Sequence, residues 1–166
     1  DKDARVDEVG ELVLRGPNVF TGYWGLPEAT AEAFRGGWFH TGDLGRMDAE
    51  GFITLVDRKK DMIITGGENV YPIEVEQVLY RHPAVREVAV VGVPDARWGE
   101  TPVATVTFQE GAEATAEELI AYTRDRLAHF KCPTRIEFVS ELPRTATGKV
   151  LKRLLRQQHG GGEQAV

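Results

Sequence analysis

The sequence has few of the features that mark a secreted, membrane or metal-binding protein. Its 166 residues include one cysteine, Cys132, so no intrachain disulfide can form, which fits a reducing cytosol. No apolar run approaches the length of a membrane span, and no signal peptide is visible. We therefore expect a cytoplasmic protein without a transmembrane segment. A peripheral association with membranes stays open.

Two further classes of function are disfavoured by composition. The net charge of −6 argues against general nucleic-acid binding. The four histidines show no metal-ligand spacing with one another or with Cys132, so we expect no metal site built by them. A buried, inert thiol is the preferred interpretation of Cys132, since no Cys-His arrangement is evident nearby.

The residues that are present divide the chain into a fragmentary first part and a self-contained second part. Residues 1–56 predict two or three short strands and one short helix, too little for a stable core. We expect them to be the β-rich end of a larger N-terminal domain. The chain begins inside a polar segment, without a methionine, so we expect it to be a fragment of a longer protein.

A charged segment, residues 57–60, separates the two parts. Its four successive charged side chains cannot all be buried cheaply, which predicts a solvated hinge. Residues 61–158 predict a small C-terminal α+β domain with a three-stranded sheet flanked by helices. A helix of about eleven residues opens at Pro72, a capping box begins at Thr115, and a basic helix is predicted over 147–158. We expect residues 159–166 to be a frayed tail.

The segment 143–149, PRTATGK, is the strongest candidate for anion binding. Lys149 follows a glycine at the predicted helix N-terminus, where an ammonium group adds to free backbone N–H donors. It is not a P-loop, because Pro143 and Val150 stand where glycine and Ser or Thr belong. A solvated lysine on a basic helix is the simpler alternative.

Two glycine-containing segments are weaker candidates. Asp43, in Thr41-Gly42-Asp43, offers a carboxylate that could accept both hydroxyls of a ribose, or it could simply form a turn. Gly66 and Gly67, followed by Glu68, could let a ligand approach the backbone. They could equally supply positive φ before a helix.

Taken together, four segments resemble one enzyme superfamily. Segments 37–45, 57–63, 66–76 and 143–149, in this order, are similar to the C-terminal portion of the acyl-adenylate-forming enzymes. This AMP-dependent synthetase/ligase superfamily includes acyl-CoA synthetases, luciferases and peptide-synthetase adenylation domains. The resemblance runs from about Val9 to Arg156. The block 37–60 is especially like fatty-acyl-CoA synthetases.

The resemblance implies a reaction in two steps. The family activates a carboxylic acid with ATP and Mg²⁺ to an acyl-adenylate, then transfers the acyl group to coenzyme A. A small C-terminal domain rotates between the steps. Lys149 matches the catalytic lysine that bridges acid and nucleotide during adenylation, and Asp57 matches the hinge.

Other residues match ligand contacts of the family. Asp43, Arg58 and Thr41 correspond to nucleotide-binding positions. Gly66, Gly67 and Glu68 lie in the segment that lines the path of coenzyme A.

The expected function is therefore the C-terminal part of an ATP-dependent fatty-acid–CoA ligase. Its partners would be a carboxylic acid, ATP, coenzyme A and the upstream domain of the same chain. The family's phosphate loop, adenine-binding segment and acyl pocket are absent from these residues, so we expect the fragment alone to be inactive. One alternative is an adenylating enzyme that loads a carrier protein. Another is a stand-alone non-catalytic module that binds a nucleotide or a protein.

Overall fold

The computed structural model describes residues 2–160 of the chain. These separate into two compact units, Asp1–Lys60 and Asp61–Val166. Each unit is built on a sheet of its own, with three strands in the first and five in the second.

The first unit is a small antiparallel sheet with one helix. Its strands, in the spatial order β1-β2-β3, are β1 (Gly10–Leu14), β2 (Phe39–Met47) and β3 (Ile53–Arg58). Helix α1 (Pro27–Ala33) begins at a proline, which is tolerated in the first helical turn. Among the apolar side chains described in this unit, only Leu44 is fully buried, so the unit has little core of its own.

The second unit contains three helices around a mixed sheet. The strands are β4 (Ile63–Thr65), β5 (Glu68–Val70), β6 (Val85–Asp95), β7 (Gly99–Phe108) and β8 (Arg135–Phe138). The helices are α2 (Pro72–Leu79), α3 (Ala116–Arg124) and α4 (Lys152–His159). The order of the sheet is β5-β4-β7-β6, and β8 runs parallel to β7. The α+β fold class is thus confirmed.

The predicted number of strands is wrong, because the sheet has five strands and not three. The two additional strands, β4 and β5, form a hairpin of three residues a side, too short to show an alternating pattern. The two residues that join them are Gly66 and Gly67, with φ of 58° and 88°. Positive φ at both central positions is the requirement of the tight hairpin turn that matches the twist of the strands.

The core lies on both faces of the sheet. Val90 and Val106 pack on one face with residues of α2 and α3, including Leu79 and Leu119. Val91 and its neighbours pack on the other face against α4. Since both faces are covered, β6 reads as a nearly continuous β-branched run.

Two helices depart from their predicted bounds. Helix α2 ends at Leu79, which makes it shorter than the predicted eleven residues. Helix α4 starts at Lys152 and not at Thr147, because the residues before it form a turn closed by the bridge between Arg144 and Val150. The capping box at Thr115 is confirmed, with its side chain accepting from the Glu118 N–H.

The predicted frayed tail is wrong at its first residue. His159 is the last residue of α4, and its Nε2 lies 2.8 Å from the Thr105 hydroxyl. Burial lowers the pKa of the ring, and the nearby Arg135 adds to this effect. Residues 161–166 of the predicted tail lie outside the described residues.

A buried hydroxyl on β7 leads to a prediction about stability. Thr107 Oγ1 is buried without a hydrogen-bond partner, whereas Thr105 Oγ1 is bonded to His159. Thr107→Val should raise the free energy of unfolding by about 1 kcal/mol, because it removes an unsatisfied polar group at constant shape. Thr105→Val, the matched control, should lower it. Urea unfolding of the chain tests both variants, and equal destabilisation would contradict the prediction.

Candidate functional site

The three predicted nucleotide contacts lie together in the first unit. Asp43 on β2 is opposite Arg58 on β3, and Asp43 Oδ1 lies 3.1 Å from Arg58 Nε. Thr41 Oγ1 donates to the Leu12 carbonyl at 2.7 Å and accepts from the Asp43 N–H at 3.0 Å. The segment is therefore part of a strand and not the loop that the sequence suggested. Gly42, with φ of 73°, bends the strand between the two side chains.

A pocket of about 320 Å³ adjoins this group, lined by Thr41, Gly42, Arg58, Lys59 and Lys60. Its wall thus combines backbone, a hydroxyl and three cationic side chains. Arg58 is paired with Asp43 and Lys59 with Glu11, so the wall offers charges of both signs, which suits a ligand that carries hydroxyl groups and phosphates.

Glu11, which the sequence did not single out, connects the strands of this unit. Its largely buried carboxylate lies 2.9 Å from Lys59 Nζ and 3.0 Å from both His40 Nδ1 and Arg35 Nη2. It also accepts from the Gly42 N–H at 3.3 Å. Burial alone would raise the pKa of this carboxyl, but the bonds and charges of His40 and Lys59 lower it to about 2.

The predicted hinge is only partly a loop. Asp57 lies in β3 opposite Leu44, and its Oδ1 accepts from the Arg58 N–H at 2.7 Å. A short 3₁₀ turn, Lys59–Asp61, follows the strand, and the boundary between the units comes after Lys60. The expectation that residues 57–60 form a solvated hinge stays a prediction, with Asp57 and Arg58 at the end of strand β3 and not in a loop.

Side chains on either side of Lys60 are held within their own units. Lys59 Nζ is bound to Glu11 in the first unit, at 2.9 Å. Asp61 Oδ1 accepts from Arg156 Nη2 in the second unit, at 2.5 Å. Each unit thus holds one side chain next to Lys60.

Lys149 lies on a closed turn three residues before α4, so its predicted position at a helix N-terminus is wrong. The Lys149 N–H donates to Thr145 Oγ1 at 3.1 Å, and its carbonyl accepts from the Thr145 N–H at 2.8 Å. Gly148 has a φ of 84°, which the turn requires. The backbone is thereby fixed, while the Lys149 side chain is exposed.

Residues 144–156 contain five basic residues and no acidic one, but this basic end is less positive than that count suggests. Three of its basic side chains are paired with carboxylates of the same unit: Arg144 with Glu87, Lys152 with Glu76, and Arg156 with Asp61. Lys149 and Arg153 are exposed members of the group. The long-range partners explain why a count of charges along the sequence overstated the patch.

The glycine hairpin borders a larger cavity in the second unit. Its volume is about 460 Å³, and its lining includes Gly66, Glu68, Trp98, Arg124, Phe130 and Cys132. A Cβ added at Gly66 would lie 3.0 Å from Trp98 Cε3, whereas one at Gly67 would meet nothing within 4 Å. Of the three predicted coenzyme A residues, Gly66 and Glu68 thus line the cavity.

Cys132, at this cavity, is buried as the sequence suggested. Burial raises the pKa of its thiol above the usual value, which disfavours a thiolate nucleophile. Within residues 2–160, no three His, Cys, Asp or Glu side chains are grouped to hold a metal ion. None of the described helices combines the length and apolarity that crossing a membrane would need.

These features together define a class of protein. A small α+β domain presents a lysine on a closed turn and, elsewhere, a glycine hairpin beside a cavity. A carboxylate–arginine pair lies on the sheet that precedes it. Such a set suits a protein that handles a nucleotide and a second, elongated ligand.

Comparison with known proteins finds a match to one family model. Residues 74–149 match the family model described as "AMP-binding enzyme C-terminal domain". The predicted resemblance to the C-terminal portion of acyl-adenylate-forming enzymes is thereby confirmed.

Individual relatives agree with this family. A feruloyl-CoA synthase from Amycolatopsis sp is 53% identical over 92% of this chain and 31% of its own length. A long-chain-fatty-acid–CoA ligase from Bacillus subtilis (strain 168) is also 53% identical, over 91% of this chain and 27% of its own length. The chain therefore spans about a third or less of the length of these relatives.

A solved structure shows the same fold. The o-succinylbenzoate CoA synthetase from Bacillus subtilis, in complex with its acyl-adenylate intermediate, has a TM-score of 0.85 and 41% sequence identity. The match covers 96% of this chain and 33% of that one.

Proposed function

We propose that the complete protein containing this chain is an AMP-forming acid–CoA ligase. Its first half-reaction joins a carboxylic acid to the α-phosphate of ATP and releases pyrophosphate. Its second transfers the acyl group to the thiol of coenzyme A and releases AMP. The observation that carries the proposal is Lys149, an exposed cation on a turn whose backbone is fixed. Relatives named as a CoA synthase and a CoA ligase match more than nine-tenths of the chain and support it.

In the first half-reaction, two anions must be brought together. A carboxylate attacks a phosphate, so a fixed cation is most useful where negative charge accumulates in the transition state. We assign that role to Lys149. Asp43 would accept the ribose hydroxyls, while Arg58 holds the Asp43 carboxylate in place and Thr41 fixes the adjacent backbone. Mg²⁺ would arrive bound to ATP, and we assign none of the described residues to it.

In the second half-reaction, the acceptor thiol must reach the acyl carbonyl carbon through a narrow passage. We assign Gly66, Gly67 and Glu68 to this passage. The cavity that Gly66 and Glu68 line, with exposed aromatic rings at Trp98 and Phe130, supports the assignment. A side chain at position 66 would press on the Trp98 ring, because an added Cβ would lie 3.0 Å from Trp98 Cε3.

A methyl group at Gly66 gives a direct test of this passage. Gly66→Ala in the complete protein should slow thioester formation from supplied acyl-adenylate by about tenfold or more, since it displaces Trp98 in the passage. Adenylation should not change. Gly67→Ala is the control for backbone strain, because Gly67 also has a positive φ, 88°, but an added Cβ there has open space around it. Equal losses in the two variants, or a loss in adenylation, would contradict the assignment.

Rotation between the half-reactions needs a turning point, which we propose to be Lys60, three residues after the predicted Asp57. Rotation about the backbone dihedrals of Asp57 would move Arg58, which is paired with Asp43 in the sheet. Rotation about the backbone dihedrals of Lys60 would leave the bonds of Lys59 to Glu11 and of Asp61 to Arg156 intact. The boundary between the units after Lys60 supports the same position.

For the acid we propose a fatty acid, and the second candidate is an aromatic acid. The 53% identity to a long-chain-fatty-acid–CoA ligase supports the first, and the equal identity to a feruloyl-CoA synthase supports the second. The lone buried Cys132 and the need for ATP and coenzyme A favour the cytoplasm as the compartment.

An assay of the complete protein tests the proposal. We would incubate it with Mg²⁺-ATP, coenzyme A and a panel of fatty, aromatic and short dicarboxylic acids. The expected products are one class of acyl-CoA together with AMP and pyrophosphate. Formation of ADP, or transfer to a carrier protein and not to coenzyme A, would overturn it.

A further inference from the structure

The turn that carries Lys149 is held from outside by an ion pair that the proposed mechanism does not use. Arg144, at the start of the turn, forms an ion pair through Nη2 with the Glu87 carboxylate on β6. Through Nη1 it donates to the Gly148 carbonyl at 2.7 Å. One guanidinium therefore links the sheet to the residue directly before Lys149.

Leu142 and Val150 pack the two ends of the turn against the sheet, but its tip has few other constraints. Thr145 bonds to the backbone of Lys149, and the Leu151 N–H donates to the Pro143 carbonyl at 2.8 Å. These bonds close the turn upon itself, but they do not attach its tip to the sheet. The link from Glu87 through Arg144 to Gly148 makes that attachment.

A planar guanidinium is suited to this bridging role. Its N–H donors have fixed directions, so it can bind a carboxylate and a carbonyl at once and hold their separation. A lysine at position 144 would keep the charge but could not hold both partners in that geometry. A basic patch would be served by lysine or arginine at this position. The two contacts of Arg144 give a specific reason for arginine.

We propose that Glu87 and Arg144 are positioning residues for Lys149. Glu87 orients Arg144, and Arg144 holds the Gly148 carbonyl. The backbone from which the Lys149 side chain extends is thereby held in one position. This inference rests on the proposed function, because it concerns the adenylation half-reaction. A small displacement of a charge-stabilising group lowers the rate of the chemical step more than it lowers substrate binding.

The test uses the complete protein and two variants, Glu87→Gln and Arg144→Lys. Each should lower kcat for acid-dependent ATP–pyrophosphate exchange by about tenfold and leave KM for ATP within about twofold. Thioester formation from supplied acyl-adenylate should not change. The matched control is Glu137→Gln, which removes a carboxylate of similar exposure from the Arg135–Glu137 pair, away from the turn.

A second measurement is independent of activity. Hydrogen exchange of backbone amides in peptides covering residues 143–151 should accelerate about tenfold in both variants and remain unchanged in Glu137→Gln. Faster exchange there, with a normal thermal midpoint, would separate a loosened turn from general unfolding.

Other outcomes would overturn the inference. If Arg144→Lys raises KM for ATP while Glu87→Gln has no effect, Arg144 contacts the nucleotide directly. If both half-reactions fall equally along with the thermal midpoint, the pair is only structural. A wild-type protein without acid-dependent exchange would overturn the proposed function. Amide exchange alone would then decide whether the pair holds the turn.

Discussion

Lys149→Ala in the complete protein is expected to lower acid-dependent ATP–pyrophosphate exchange by about 10²- to 10³-fold. The reason is electrostatic: the variant loses a fixed cation where the charges of a carboxylate and a phosphate accumulate, and one such group is worth a factor of that size. Thioester formation from supplied acyl-adenylate should be spared, because that step no longer joins two anions. Rates of the two half-reactions, measured separately, check the prediction.

The control for Lys149 is Arg153→Ala. Arg153 is exposed on α4, so its replacement removes the same charge from the same basic end without touching the turn. The rates of both half-reactions should stay within about twofold of those of the wild-type protein, as expected for an exposed charge. Equal loss of the two half-reactions in Lys149→Ala would remove the role that we assign to Lys149.

Lys60→Pro should impair one half-reaction by about 100-fold while the other is retained. Proline fixes φ at its own position and restricts the residue before it, so the turn Lys59–Asp61 would favour one arrangement. A rotation that is needed between the two steps would then be blocked. Single-turnover measurement of each half-reaction, with the acyl-adenylate supplied for the second, gives the ratio of the two rates in the variant and in the wild-type protein.

Asp57→Pro separates the two possible turning points. Asp57 lies inside β3, and the φ that proline fixes would distort its pairing with Leu44 on β2, so this variant should lose stability and both half-reactions together. Asp57→Ala, which keeps the strand, should have little effect on the ratio of the two rates. A selective loss at Asp57, with Lys60→Pro unaffected, would instead restore Asp57 as the hinge.

Local patterns predicted much of the second unit. The pairing of β6 with β7 follows from two β-branched runs separated by a short turn. The capping box at Thr115 is predicted by four consecutive residues. The pairing of β4 with β5 was missed, because a strand of three residues such as β5 is shorter than any periodic signal. The turn before α4 was mistaken for helix, since its closure depends on Thr145 and not on propensity.

The sequence predicted which residues belong to the candidate site, but not the contacts that they make. Asp43 and Arg58 were named from their motifs, and their pairing across two strands needed the fold. Glu11 carries no motif and gains its importance only from cationic partners distant in sequence, such as Lys59. The partners of the basic end, Glu87 among them, are likewise more than fifty residues away, as the Arg144–Glu87 separation of 57 shows.

The most direct test of the account is ATP–pyrophosphate exchange without coenzyme A, measured for the complete protein and for residues 1–166 alone. We expect acid-dependent exchange by the complete protein and none by residues 1–166, which supply Lys149 and Asp43 but no phosphate loop. Exchange by residues 1–166 alone, or ATP binding by the complete protein without exchange for any acid of the panel, would contradict the account.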